Sequence, residues 1–503
     1  LGLGALSISL LGALGASCSL GNVKHDACKT NDQCAALFGL GSKCEDGFCG
    51  DPPACKVSSD CRAFGYFAGC TAGHCQPTKL DPRCTVLGPQ TLVDSVAAGK
   101  GTADAVLLGA LFNLKATDAD PPGKEDARAA AAELAVDEIN EQGGTHPFGL
   151  VLCNYDNTTG DFADTVELAR YLATDVGVPA IVGPSSTQAT SDVATALYQT
   201  DQVPAVIISP AATGTQLTLQ PDHVPKDAPQ GLLWRSTVND AVQAAFLSQK
   251  VSAAIQPTMQ VGVLYVDEQY GSSFVDVLAA SLGMNRLRTA SFKSATDVNI
   301  AVGIIKTEPN LGAIVIVSNK VDAARAALDA CAVEPALSGL KFFLTDGSKD
   351  PAIAANPTAT VQPLLDGLRG TAPKNPTNQA FYDRLKQKSG FDPSQFSFVA
   401  QSYDATYLAA YGVVYAQNQS ATFDGDGVAV GLSNLSSGSK VTFGPTSFKA
   451  GVTQLEFAGT IDVVGVSGEL NLDSNGDVLP GPDDMDVWCV KNGAIANGVA
   501  QCP

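Results

Sequence analysis

From residue 105 onward the chain alternates short apolar runs with Ala-rich amphipathic stretches, and it does so twice over. Ala105–Phe112 (AVLLGALF) reads as a buried strand, and Glu125–Gln142 has helical periodicity stopped by Gly143-Gly144. Leu150–Tyr155 is a strand, Phe162–Thr174 an amphipathic helix and Pro179–Val182 a short buried strand. A turn at Gly183-Pro184, a helix from about Thr187 and a strand at Pro204–Ser209 complete the first round. The second round has strands at Gln260–Val266, Ala313–Val317 and Phe342–Leu344, with helices at Ser272–Leu282 and Val321–Ala332. Asn378–Lys388 and Val399–Tyr415 read as further helices, and the end of the chain is β-like. Strand–helix alternation predicts a doubly wound parallel sheet, and two rounds predict two lobes. Ligands of such sheets sit at the carboxyl ends of the strands, here between the lobes.

The cysteines mark off a different region. Ten of the 14 precede residue 85, and they contain a repeat. Cys28, Cys34, Cys44 and Cys49 are spaced C-x5-C-x9-C-x4-C; Cys55, Cys61, Cys70 and Cys75 are spaced C-x5-C-x8-C-x4-C. Units this small cannot build an apolar core and read as disulfide knots in an oxidising compartment. Zinc is the alternative, with His74 beside Cys75, but the spacings suit stapled loops better. Cys489 with Cys502 is a plausible further pair, Cys84 with Cys153 a weaker one, and Cys331 reads as a buried thiol. The proline-bearing stretch 85–103 reads as a linker between the Cys-rich region, 18–84, and the main domain, 104–503.

Residues 1–17 (LGLGALSISLLGALGAS) are apolar and small, like the hydrophobic part of an export signal. Leu14-Gly15-Ala16-Ser17-Cys18 resembles a bacterial lipobox, which implies lipidation of Cys18, with the protein anchored in the periplasm or at the cell surface. The membrane would then be touched only through that anchor. With a formal net charge of −20 and 16% charged residues the chain lacks the basic clusters that nucleic acid demands. No G-x-S-x-G, H-E-x-x-H or P-loop occurs; His25 and His74 lie in the disulfide region, and His146 and His223 lie in Pro/Gly-rich loops with no Ser or Cys nucleophile motif nearby, so an enzyme is not expected. No cofactor or metal is expected either. Asp473-Ser474-Asn475-Gly476-Asp477 begins like a calcium loop, but Asp484 stands where the closing Glu belongs, so a turn is the better reading. Asp424-Gly425-Asp426-Gly427 is also turn-like.

Ser185, Ser186 and Thr187 open a helix directly after a strand. Free N–H groups and partial positive charge make such a helix start a place for a carboxylate, although its hydroxyls can equally serve only as caps.

Over residues 104–503 the chain resembles the type I periplasmic binding proteins, specifically their leucine/isoleucine/valine-binding branch. The pieces that carry the resemblance fall in the right order: Asp137-Glu138-Ile139-Asn140-Glu141-Gln142-Gly143-Gly144, Asp156, Ile181-Val182-Gly183-Pro184-Ser185-Ser186-Thr187, Val203-Pro204 and Ile208-Ser209-Pro210-Ala211-Ala212-Thr213. In the second half come Tyr265-Val266-Asp267-Glu268-Gln269-Tyr270-Gly271, Asp346-Gly347, Gly367-Leu368-Arg369-Gly370 and Tyr403-Asp404-Ala405. The resemblance implies two Rossmann-like lobes joined by three crossovers, near Trp234–Asn239, Leu368–Pro373 and Gly468–Asn475. One lobe is then about 104–236 and 370–470, the other 237–369 and 471–503.

It also implies a site for an amino acid. Thr187, with Ser186 beside it, aligns with the family's pocket hydroxyl, and Ala211 and Thr213 align with the second clamp on the ligand's carboxylate. Asp346 aligns with the Glu that binds the ammonium, and Tyr270 with an aromatic that covers the ligand. Where the family has another aromatic, this chain has Asn319-Lys320, which implies a more polar guest. The implied partner is an ABC permease. A ligand-sensing or adhesive surface protein is the alternative.

Overall fold

The computed structural model describes residues 26–502 apart from 57, 99–104, 116–119, 144–145, 157–160, 375, 377, 420–422 and 482–483, so Cys18 and the export-like segment lie outside the described residues. The two rounds of alternation become two sheets with separate apolar cores. The first sheet has six strands, in spatial order Leu233–Arg235, Val206–Ser209, Ala180–Val182, Val106–Phe112, Phe148–Asn154 and Cys84–Leu87. All pairings are parallel except the last. Every residue of Val106–Phe112 is buried, as expected of a parallel strand covered on both faces. The second sheet has seven strands: Leu287–Phe292, Gln260–Val266, Leu311–Val317, Lys341–Leu344, Arg369–Pro373, Met485–Lys491 and Ala494–Asn497. Its first five pair in parallel and its last two are antiparallel additions.

Helices cover both sheets. In the first lobe Lys124–Glu141 packs against Val399–Gln419, whose Tyr403, Tyr407 and Tyr411 recur one helical turn apart and are fully buried. The rings of Tyr407 and Tyr411 meet Phe443 and Phe448, so the late part of the chain completes the first lobe's core. Among the described residues no helix is long and apolar enough to cross a membrane.

The chain passes between the lobes near 235–240, between the strand Leu233–Arg235 and the helix Asp240–Ala254. The second passage follows Pro373, because Arg369–Pro373 pairs along its length with Met485–Cys489 and so belongs wholly to the second sheet. The third follows Val478. The turn at Asp473–Asp477 stays with the first lobe, where the Gly476 carbonyl accepts from the Arg235 amide at 2.8 Å. Asp473 Oδ1 accepts from the Asn475 and Asp477 amides, so this segment is a turn. Asp424, in contrast, caps the helix Gly425–Ser433 rather than opening a turn.

The Cys-rich region folds as two similar units. Each has a short helix, a hairpin and two disulfides joining first to third and second to fourth cysteine: Cys28–Cys44 with Cys34–Cys49, and Cys55–Cys70 with Cys61–Cys75. All eight sulfurs are spent in these bonds, so the zinc alternative falls away. Cys84–Cys153 and Cys489–Cys502 are also bridged, and Cys331 is a buried thiol. The linker expected at 85–103 is in large part structured. Cys84–Leu87 is the antiparallel edge strand, held in register by Cys84 opposite Cys153, and Gln90–Ala97 is a helix. The second unit is fastened to the first lobe: the Phe67 amide donates to the Val176 carbonyl at 2.9 Å and Thr78 Oγ1 to the Asp175 carbonyl at 2.8 Å. Gly177, at φ 89°, leaves room for the Arg62 guanidinium, which a Cβ there would strike.

Candidate functional site

The carboxyl ends of both sets of parallel strands face one cavity between the lobes, of about 490 Å³. After Ala180–Val182 the chain turns through Gly183, at φ 91°, and enters the helix Thr187–Ala194. Ser186 caps that helix, accepting from the Ala189 amide at 3.2 Å. The amides at the helix start have no carbonyl one turn back to bond. The Ser185 hydroxyl is buried beside them without a hydrogen-bond partner. Ser185, Ser186, Thr187 and Ala211 all line the cavity. Thr187 Oγ1 accepts from the Gly214 amide at 3.1 Å, which ties the helix start to the loop carrying Ala211 and Thr213.

The opposite wall comes from the second lobe. Asp346 follows the strand Lys341–Leu344, lines the cavity and is 3% exposed. Burial raises its pKa above the usual carboxylate value, and the hydroxyl of Tyr270 pulls it back down. No described residue forms a salt bridge with it, although the charge of Lys124 across the cleft also draws its pKa down. A desolvated carboxylate of this kind favours a cationic partner.

Five of the six residues singled out from sequence, Ser186, Thr187, Ala211, Tyr270 and Asp346, line this one cavity. Two differ from expectation in how they serve it. Tyr270 is buried within the second lobe, and its hydroxyl holds Asp346 Oδ1 at 2.9 Å and lies 2.8 Å from Thr345 Oγ1. It therefore positions the carboxylate rather than simply roofing a guest. Thr213 is buried behind the cavity wall, its hydroxyl turned toward Asp240 without hydrogen-bond geometry.

Sequence reasoning missed the entrance to the first lobe's leading helix. Lys124, its first residue, reaches across the cleft and donates to the carbonyls of Gly347, at 2.9 Å, and Asn319. Burial lowers its pKa. Arg128, one turn on, is 3% exposed and donates to Glu125 Oε1 at 2.5 Å and to the Ser397 carbonyl at 3.2 Å, with its guanidinium over the Phe398 ring. Ser397 Oγ in turn donates to the Asp346 carbonyl at 3.1 Å, and Gln216 Nε2 to the Gln269 carbonyl at 3.2 Å. The lobes thus already meet along the cleft. A lysine at a helix start reads in sequence as a solvated charge; only its spatial partners reveal the bridge.

The family model for the receptor family ligand binding region matches residues 127–491. The chain belongs to this family, the type I periplasmic binding proteins. It is a family of solute-binding proteins, not of enzymes. The family member described here is 29% identical over 198 residues to the chemotactic signal transduction system substrate-binding protein BasB of Halobacterium salinarum, a match spanning 38% of this chain and 45% of that protein. It thus spans less than half the length of that relative. It is 26% identical over 306 residues to the Leu/Ile/Val-binding protein of Citrobacter freundii, spanning 56% of this chain and 72% of that protein. The fold is that of the branched-chain amino acid transporter substrate-binding protein LivJ of Streptococcus pneumoniae, solved with isoleucine: TM-score 0.56 and 19% identity, over 78% of this chain and 99% of that one.

Proposed function

We propose that this protein captures an amino acid or a similar small zwitterion in the interlobe cleft, outside the cytoplasm, and delivers it to an ABC permease. The observation that carries this reading is the pairing of opposites in one cavity: the helix start at Ser185–Thr187 on the first lobe and, on the second, the buried Asp346, which has no salt-bridge partner among the described residues. The first suits a carboxylate and the second an ammonium, so a zwitterion would satisfy both walls and hold the lobes together. The disulfides support an oxidising compartment. Lipidation at Cys18, with anchorage in the bacterial periplasm or at the cell surface, completes the proposal.

Sensing is the second reading, favoured by the relative that serves a chemotactic signal transduction system. Both readings require the same capture step. Isothermal titration of the protein with a panel of amino acids tests that step: saturable one-to-one binding is expected, and its absence across the panel rejects the proposal. A chemotaxis or uptake assay in a deletion strain then separates the two readings.

A further inference from the structure

Two acceptors carried by residues of the cavity wall have nothing to accept from. Glu125 uses Oε1 for Arg128, while its Oε2 is buried without a partner. Asn319, on the other lobe, donates Nδ2 to Glu268 Oε2 at 3.0 Å, and its Oδ1 is buried without a partner. The orientation of that amide is chemically forced. Glu268, held by the Lys320 ammonium at 2.9 Å, can only accept, so the Asn319 nitrogen must face it and the oxygen must face away. Both residues line the cavity. Buried acceptors left unpaired are unfavourable, so a guest that donates to them is selected over one that cannot.

The charge balance decides what kind of donor this is. Glu125 is matched by Arg128 and Lys320 by Glu268, while Lys124 lies close by with its own positive charge. A second cation brought to Glu125 would face both Lys124 and Arg128. A neutral N–H donor meets no such repulsion. An apolar tip would leave both acceptors dry and unpaired.

We infer that the guest is an amino acid whose side chain ends in a neutral N–H donor, a carboxamide or urea, seated between Glu125 Oε2 and Asn319 Oδ1. This rests on the amino-acid reading above, with its backbone groups gripped by the Ser185–Thr187 helix start and Asp346. It separates this chain from the relatives whose names specify branched-chain ligands.

The test is isothermal titration of the full chain with glutamine, asparagine and citrulline against methionine, leucine, lysine and glutamate. An amide or urea ligand is expected to bind at least about ten-fold tighter than methionine, lysine or glutamate. Asn319→Leu, checked for native-like melting, should bring the glutamine-to-methionine ratio close to one by weakening glutamine and strengthening methionine. Glu125→Gln, which can still accept from Arg128, should also narrow it. Tighter binding of leucine, methionine, lysine or glutamate overturns the inference while leaving the amino-acid reading intact. So does a ratio unchanged in Asn319→Leu. Binding of none of the panel overturns both.

Discussion

Tyr270 and Asp346 are joined by a buried hydrogen bond of 2.9 Å, phenol to carboxylate, on the second lobe's wall of the cleft. It lets an acidic group stay ionisable where burial alone pushes its proton affinity up. A ligand ammonium and a proton then compete for the same carboxylate. Affinity for an amino acid should fall as pH drops through the pKa of Asp346, which burial raises above its ordinary value of 3.8. Tyr270→Phe removes the hydrogen bond, raises that pKa further and should move the fall to higher pH. Asp346→Asn should weaken binding by about ten- to a hundred-fold and abolish the pH dependence. Titration calorimetry across pH checks all three, and unchanged affinity in Asp346→Asn would falsify the assigned role.

Lys124 spans the cleft from the first lobe to two carbonyls of the second. Replacing it by Met keeps most of the apolar stem and removes the donations, which should cost the closed arrangement about 1–3 kcal/mol. The radius of gyration of the ligand-free protein, measured by small-angle scattering, should rise. The value with saturating ligand should change little. A ligand-free radius identical to that of the unaltered protein would show that Lys124 does not hold the lobes together.

Arg235 ends the last strand of the first sheet and is 1% exposed; its guanidinium meets Asp477 Oδ1 at 2.6 Å. Asp477 lies on the segment that returns to make the third passage. Asp477→Ala leaves a buried cation without its partner, so destabilisation of about 3–5 kcal/mol is expected by chemical denaturation. Arg235→Met with Asp477→Leu should recover much of that loss, since the buried charges leave together. Failure of the double variant to improve on the single one would count against the charge-burial explanation.

The disulfides should differ in reach. Cys84–Cys153 closes a separation of 69 residues and pins the edge strand to its neighbour, so Cys→Ala at both ends should cost about 2–4 kcal/mol of first-lobe stability. Cys61–Cys75 closes 14 residues within the second Cys-rich unit. Its removal should loosen that unit, as seen by hydrogen exchange, while the main unfolding midpoint hardly moves. Equal shifts in the midpoint for both pairs would mean that unit and lobe unfold as one.

The central strands were legible because a parallel strand covered on both faces is a continuous apolar run, as at Val106–Phe112 and Leu311–Val317. Cys84–Leu87 was not. It is four residues long among prolines and exists as a strand only because Phe148–Asn154, far away in sequence, offers an edge. The same limit applies to the site. The helix start at Ser186 is a local feature and could be read, whereas Lys124 finds its partners 195 and 223 residues away. The role of Tyr270 was half legible: the ring could be anticipated from resemblance, but its grip on Asp346 depends on two elements meeting in space.

The attachment of the second Cys-rich unit to Val176 and Asp175 has a mechanical meaning. Whatever grips the N-terminal units grips the first lobe with them, so that lobe becomes the fixed jaw. Opening and shutting are then left to the second lobe, and a docking partner would sense occupancy by where that lobe points relative to the N-terminal units.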